Sequence, residues 1–407
     1  MAAMTALLSL LLPAAAAACV ISPRADNQTS TNGTDNTPWV PSCKLPASNA
    51  YLNVGFGSGS ECAPSKGTLR GYMIFVDFSD AESFDWESPV QLRDFFLPDA
   101  AEWFKTASYG ALDLDIKADV SRFYRMPNSA ASYKWDDGLT WNQHYDYIQD
   151  VLQAYTNNDT QPAPAETDIL YVVPTRSASS WMTRSQAFNY RVWTRDSEYV
   201  ALKAVTFGTD PFSYWGFKAL NHETGHSMCL PDLYPLDGGD IGEFVGGWSA
   251  MGNLGGVGSD FFAWDKWRLG WLSDDDVDCV MEHGISDHTL TPLGTIGGTK
   301  AVVIAANKTS AVVAEIRTAE GLDRNVCAPG VLLYTIDTTV ATGEGPIHVL
   351  DATPNSSGCG DGNLDGLNDG TLSLSGGSTS IDVPGWELKV TLVENTKEEY
   401  KIRVEYS

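Results

Sequence analysis

The sequence predicts an α+β domain followed by an all-β, sandwich-like domain. Between residues 67 and 275, buried strand-like runs alternate with segments whose apolar residues recur at helical spacing. From 276 to 407 the helical spacing stops, and short strand-like runs separated by Gly, Asn and Asp turns take over. Length agrees, because 407 residues can bury the cores of two domains.

The elements follow in order. "GYMIFVDF" at 71–78 is a buried strand between turn signals. In "PVQLRDFFLPDAAEWFKTASYG", Leu92, Phe95, Phe96, Trp103 and Phe104 keep helical spacing around Pro98, which predicts two helical pieces ending at Gly110. "ALDLDIKADV" at 111–120 alternates apolar and acidic residues, as a half-exposed strand does. An amphipathic helix is expected at 140–157, a buried strand at 168–175, and helices at 213–228 and 260–272. The aromatic face of 260–272 reads as packing. Strands are expected in "TKAVVIAA", "SAVVAEIRT", "GVLLYTIDT", "GPIHVLDA", "WELKVTLVE" and "EYKIRVEYS".

Ahead of these, residues 1–18 have the apolar stretch and small-residue finish of a signal peptide, although no Lys or Arg precedes them. A lipid anchor at Cys19 is the rival, but alanines replace the branched residue usual before such a cysteine. Residues 19–66 are rich in Ser, Asn, Thr, Pro and Gly and read as a linker or short pro-segment, with Cys43 and Cys62 placed to tie it. Sequons at Asn27, Asn32, Asn158, Asn307 and Asn355 suit a secreted glycoprotein. Beyond Cys19, the six cysteines allow up to three disulfides in an oxidising compartment.

The chain carries 26 basic and 52 acidic residues, a formal charge of −26. A field of that sign repels nucleic acid and anionic lipid, which excludes both as partners. The expected partners are extracellular proteins or peptides, met by a monomer.

The chemistry gathers in "NHETGHSMCLPDLY" at 221–234. Residues four apart on a helix share a face, so His222 and His226 can direct imidazole nitrogens at one zinc ion. Glu223 emerges beside them, placed to take a proton from the attacking water rather than to bind metal. A catalytic zinc needs a third protein ligand and an open fourth position. Pro231 prevents the helix from continuing, and a chain turning back can bring in Asp232. Asp265, on the following helix, is the alternative third ligand, and Glu243 a further one. Met251, in the Gly-rich "GGWSAMGN" at 246–253, stands where a methionine turn could floor the metal site, or simply fills core.

"HETGHSMCLPDLY", "GGWSAMGN" and "AWDKWRLGWL" together resemble the secreted immune inhibitor A family of metallopeptidases. "GTLRGYMIFVDFSDA", "AAEWFKTASYGALDLDI" and "FYRMPNSAASY" extend the resemblance over residues 67–275. It implies a two-lobed, zincin- or metzincin-like catalytic domain with a mixed sheet and an active-site helix. It further implies zinc on His222 and His226, Glu223 as general base, and Met251 as the methionine-turn residue. The family pattern has glycine where this chain has Cys229. Glycine leaves a helix at positive φ without strain, whereas cysteine does not. A disulfide from Cys229 would hold such a turn; the alternative is a thiolate approaching the zinc.

"DGNLDGLNDG" at 361–370 places Asp361, Asn363 and Asp365 at alternate positions before a glycine, as in a calcium loop, but Leu372 stands where that loop has glutamate. A solvated turn is the competing reading. His144, His283, His288 and His348 show no ligand spacing. The expected activity is therefore a secreted zinc endopeptidase. The alternatives are an inactive homologue that binds extracellular protein or glycan, and a metal-dependent hydrolase of other substrates.

Overall fold

The apolar run at 71–78 lies in β1 (Gly67–Asp77), the hub of the first sheet in this computed structural model. The structure describes residues 42–57, 61–135, 139–156, 167–359 and 366–407. The signal-like stretch, Cys19, Asn27, Asn32, Asn158 and the Asp361, Asn363 and Asp365 loop lie outside the described residues.

β1 pairs in parallel with β2 (Leu112–Ala118), β3 (Tyr124–Arg125) and β4 (Ile169–Pro174). At the far side the antiparallel edge strand β5 (Gln186–Phe188) closes the sheet. A two-stranded ribbon, β6 (Val192–Trp193) with β7 (Tyr199–Ala201), precedes β8 (Lys203–Thr206), which lies between β4 and β5. Parallel strands of this kind are covered on both faces, and β1 shows it by alternation. Met73 and Phe75 pack into one core with α1 (Pro89–Phe96) and α2 (Asp99–Ala107), whereas Ile74 and Val76 pack into another with α3 (Trp141–Thr156).

Helix boundaries follow local chemistry. α1 starts at a capping box in which the Gln91 N–H donates to Ser88 Oγ at 3.3 Å and the Ser88 N–H to Gln91 Oε1 at 3.1 Å. The helix expected at 213–228 is broken. Gly216, at φ 60 and ψ −149, separates a turn of π-helix at Pro211–Trp215 from α4 (Lys218–Ser227), because no right-handed helix contains that conformation. The helix expected at 260–272 is confined to α5 (Ala263–Arg268), with Gly270 at φ 73 beyond its end. Its Trp264 and Trp267 pack edge-on against Phe56.

The second half contributes two sheets. One holds β9 (Val277–Val280), β11 (Ala301–Ala305), β12 (Ser310–Arg317), β13 (Gly330–Asp337) and β14 (Ile347–Val349); the other holds β10 (Gly284–Leu290), β15 (Ser380–Asp382), β16 (Leu388–Asn395) and β17 (Tyr400–Tyr406). β17 alternates buried and more exposed residues, as a strand with one covered face does, but β12 is buried from Ala311 to Arg317. Val312 and Ala314 face the second sheet, while Ala311 and Val313 join the core that contains α2 and α4. That core is continuous across residue 276, and buried charges bind the halves. Arg317 holds Asp323 and Glu315, which accept backbone N–H groups of Ser259 and Ala263 at 3.0 and 2.7 Å.

Residues 42–57 and 61–66 also join the main core through Cys43, Leu45, Val54 and Ala63. Cys43 pairs with Cys279, Cys62 with Cys229, and Cys327 with Cys359. The expected tie between Cys43 and Cys62 is thus corrected: each anchors the segment to a different distant element rather than closing it on itself. No helix among the described residues is long and apolar enough to cross a membrane.

Candidate metal centre

α4 is buried along Ala219–Ser227, although most of those residues are polar. Such a helix needs partners for its side chains. Thr224 Oγ1 has Tyr171 OH at 2.9 Å, and the Ser227 hydroxyl donates to the Glu223 carbonyl at 3.3 Å. The helix ends in a Schellman turn: the Leu230 N–H donates to the Gly225 carbonyl at 3.0 Å, and the Cys229 N–H to that of His226 at 2.9 Å. Cys229 occupies the left-handed position, φ 67, and its disulfide to Cys62 holds it there. Arg268 adds a hydrogen bond to the Cys229 carbonyl at 3.4 Å.

This turn returns the chain over the helix and places Asp232 against both histidines. His222 Nε2 lies 3.2 Å from Asp232 Oδ1, His226 Nε2 lies 3.1 Å from it, and the two Nε2 atoms are 3.1 Å apart. The opposite nitrogens fix the tautomers. His222 Nδ1 is 2.8 Å from the Ala250 carbonyl, and His226 Nδ1 is 2.8 Å from that of Leu230. A carbonyl only accepts, so each Nδ1 carries the proton and, in the neutral ring, each Nε2 presents a lone pair. Two such lone pairs and a carboxylate oxygen converging at this distance repel one another unless a cation lies between them.

A zinc ion fits the set. Ligand atoms about 2.0–2.1 Å from one tetrahedral centre stand about 3.3–3.4 Å apart, close to the edges observed here. Asp232 Oδ1 has no hydrogen-bond donor of its own, and the carbonyls on each Nδ1 are the outer partners typical of ligating histidines. Among the described residues, His222, His226 and Asp232 are the group of three able to hold a metal. Asp265 is elsewhere, buried against Arg268 at 3.3 Å, and Glu243 is exposed. The structure therefore brings Asp232, not Asp265 or Glu243, to the histidine pair. Cys229 is committed to its disulfide, which corrects the thiolate alternative.

Met251 lies beneath α4. A Cβ added at Gly225 would meet its Sδ at 2.6 Å, so glycine makes room for the methionine. Its carbonyl accepts the Leu233 N–H at 2.9 Å, next to Asp232, and the preceding carbonyl holds His222. Glu223 lies on the cleft side, which Ala187 of β5 also lines. Burial pushes the Glu223 carboxyl up to about 8; Asp232 and Asp210 add to the rise, and His222 opposes it. Burial opposes ionisation of Asp232 too; positive charge on the two imidazoles, whose place a bound cation would take, would outweigh it and hold that carboxyl below its usual range.

His222, Glu223, His226 and Asp232 are only 4, 4, 5 and 1% exposed. The cleft that reaches Glu223, His226 and Asp232 is lined also by Leu52, Gln186, Ala187, Tyr234 and Thr342, and leaves about 10 Å³, the space of roughly one water molecule. Sequence patterns give no sign of Leu52 or Thr342, which arrive from distant segments; Tyr234 stands inside the motif, and its ring stacks on His222 at 6.1 Å. His144 is a core residue bonded to Thr206, and His283, His288 and His348 lie outside the group. Neither a family model nor a curated protein matches the chain, so the chemistry of this centre stands on the side chains themselves.

Proposed function

We propose that the protein is a secreted zinc-dependent endopeptidase of zincin-like build, acting on extracellular proteins or peptides. The observation that carries this reading is the convergence of two Nε2 lone pairs and one carboxylate oxygen beside a buried glutamate. A zinc ion held by His222, His226 and Asp232 would supply the Lewis acidity that activates water and polarises a peptide carbonyl.

The chain's own residues do the rest. β5 is an edge strand, and an extended peptide laid along the side that pairs with no other strand would be oriented by backbone hydrogen bonds beside Glu223. Glu223 accepts the proton of the attacking water and returns it to the leaving amine. The buried walls exclude bulk water, which strengthens these interactions. Three disulfides suit an oxidising, extracellular setting.

The narrowness of the cleft favours a second reading, an inactive homologue with a closed metal site. Zinc content and chelator-sensitive cleavage of casein separate the two. The peptidase reading requires about one zinc per chain and cleavage lost by at least ~10²-fold in Glu223→Gln, with the metal retained. Cleavage that persists in Glu223→Gln would sink the mechanism, and stoichiometric zinc without any cleavage would favour the second reading.

A further inference from the structure

We infer that Leu52 is a specificity-determining residue: it walls the cleft beside Glu223 and restricts one of the two substrate residues flanking the scissile bond to a small side chain. The inference rests on the peptidase reading and deepens it.

Leu52 is 170 positions before His222, yet it lines the same cleft as Glu223, His226 and Asp232. Gln186 and Ala187 of β5 line it as well. Side chains of an extended peptide alternate in direction, so a peptide on the β5 edge turns some of its side chains into this space. With room for about one water molecule, ~10 Å³, the space accepts glycine or alanine but not phenylalanine unless the wall is cut back.

The wall is built rather than incidental. Leu52 has φ 45, a conformation that favours glycine and persists only where the surroundings impose it. Those surroundings are specific. Asn53 Nδ2 donates to the Ser48 and Ala50 carbonyls at 3.1 and 2.9 Å, and its Oδ1 accepts the Gly55 N–H at 2.9 Å. Arg268 grips the carbonyls of Asn53 and Gly55 at 3.0 and 3.2 Å, and the Thr342 N–H donates to the Tyr51 carbonyl at 3.1 Å. The loop is thereby fixed to the same arginine that holds the Cys229 turn. Leucine at this position sets the cleft width, because the backbone around it is tied on both sides.

The test uses the full-length, zinc-loaded protein and peptides that differ only in alanine or phenylalanine at each residue flanking the cleaved bond. Wild type should prefer alanine at one of those positions by about tenfold or more in kcat/KM, and Leu52→Ala should narrow that preference by about tenfold. Leu52→Gly should do the same and also relieves the left-handed backbone, so it serves if the alanine variant fails to fold. A second readout needs no turnover: calorimetric binding of two short peptide hydroxamates, one bearing alanine and one phenylalanine. Discrimination in wild type that is lost in the variants supports the wall even if no peptide is cleaved, a result that would overturn the peptidase reading alone. Equal binding of both hydroxamates, binding of neither, or an unchanged preference in both variants overturns the role of Leu52.

Discussion

Thr342 Oγ1 accepts the backbone N–H of Asp232 at 2.8 Å, across the division between the two halves of the chain. The next residue, Gly343, donates its N–H to the Asp232 carbonyl at 3.0 Å. The third ligand of the centre is therefore placed by the β half as well as by its own turn. Thr342→Val keeps the shape and removes the acceptor. Outer partners of a metal site typically govern 10–100-fold in affinity, so a loss of zinc affinity in that range is expected, with about 1 kcal/mol of stability lost to the unpaired amide. Competition with a chromophoric chelator measures the first, and urea denaturation the second. Unchanged zinc affinity would remove the β half from the site.

The choice between Asp232 and Asp265 has its own test. Asp232→Ala should lose zinc by more than an outer-partner change does, because it deletes a ligand. Asp265→Asn should keep stoichiometric zinc but unfold more easily, since it weakens the buried pair with Arg268. Metal content and thermal melting of the two variants separate these outcomes. A zinc-free Asp265→Asn that is still folded would contradict the assignment.

Gly225 and Met251 should be energetically coupled. In an open helix, glycine to alanine gains about 1 kcal/mol, but here the new Cβ would sit 2.6 Å from a buried sulfur. Overpacking of that kind costs about 1–3 kcal/mol, so Gly225→Ala should destabilise. Met251→Ala opens a cavity, costing about 2–5 kcal/mol. The double variant should then be more stable than the sum of the singles by roughly 0.5–3 kcal/mol. Strict additivity in a denaturation cycle would show that the methionine does not sit under the helix.

How much of this centre is legible in the sequence depends on how local each cause is. His222, Glu223 and His226 are legible because helical periodicity alone sets their spacing. Asp232 and Asp265 remained alternatives because the path after Cys229 depends on a cysteine 167 positions away and on Thr342. Six strands of the β half are legible as apolar runs, but β9, β10 and β15, which mix polar and apolar residues, are not, and neither is the burial of β12 on both faces. Its Glu315 and Arg317 can be buried because Asp323, Tyr334 and the Ala263 amide pair with them, partners that lie on other elements. Gly216 is visible as a residue, but its power to break the helix lies in a conformation no pattern reveals.

Cys229 offers a separation of strain from cross-linking. The disulfide to Cys62 and the left-handed backbone are independent contributions to the same turn. With Cys62→Ser as background, Cys229→Ala loses the bond and keeps the strain, whereas Cys229→Gly loses the bond and relieves it. Loss of a disulfide typically costs about 2–4 kcal/mol, and the glycine form should recover about 1 kcal/mol relative to alanine. Equal stability of the two in urea would mean that the turn relaxes once the bond is gone.

Stability should also fall in acid through a residue remote from the metal. His144 is fully buried, with Nε2 at 2.7 Å from Thr206 Oγ1, and burial lowers its pKa to about 3. The unfolded chain holds the ordinary histidine value of about 6.5. A group depressed in the folded state contributes stability that is complete above the unfolded pKa and is lost as pH falls toward the folded one. The loss should therefore begin near pH 6.5 and reach on the order of 3 kcal/mol by pH 4. His144→Gln cannot titrate in this window, so its stability profile from pH 7 to 4 should be flatter than that of wild type by about this amount, whatever its absolute stability. Superimposable slopes for the two proteins, measured by urea denaturation at fixed zinc occupancy, would show that His144 is protonated equally in the folded and unfolded states.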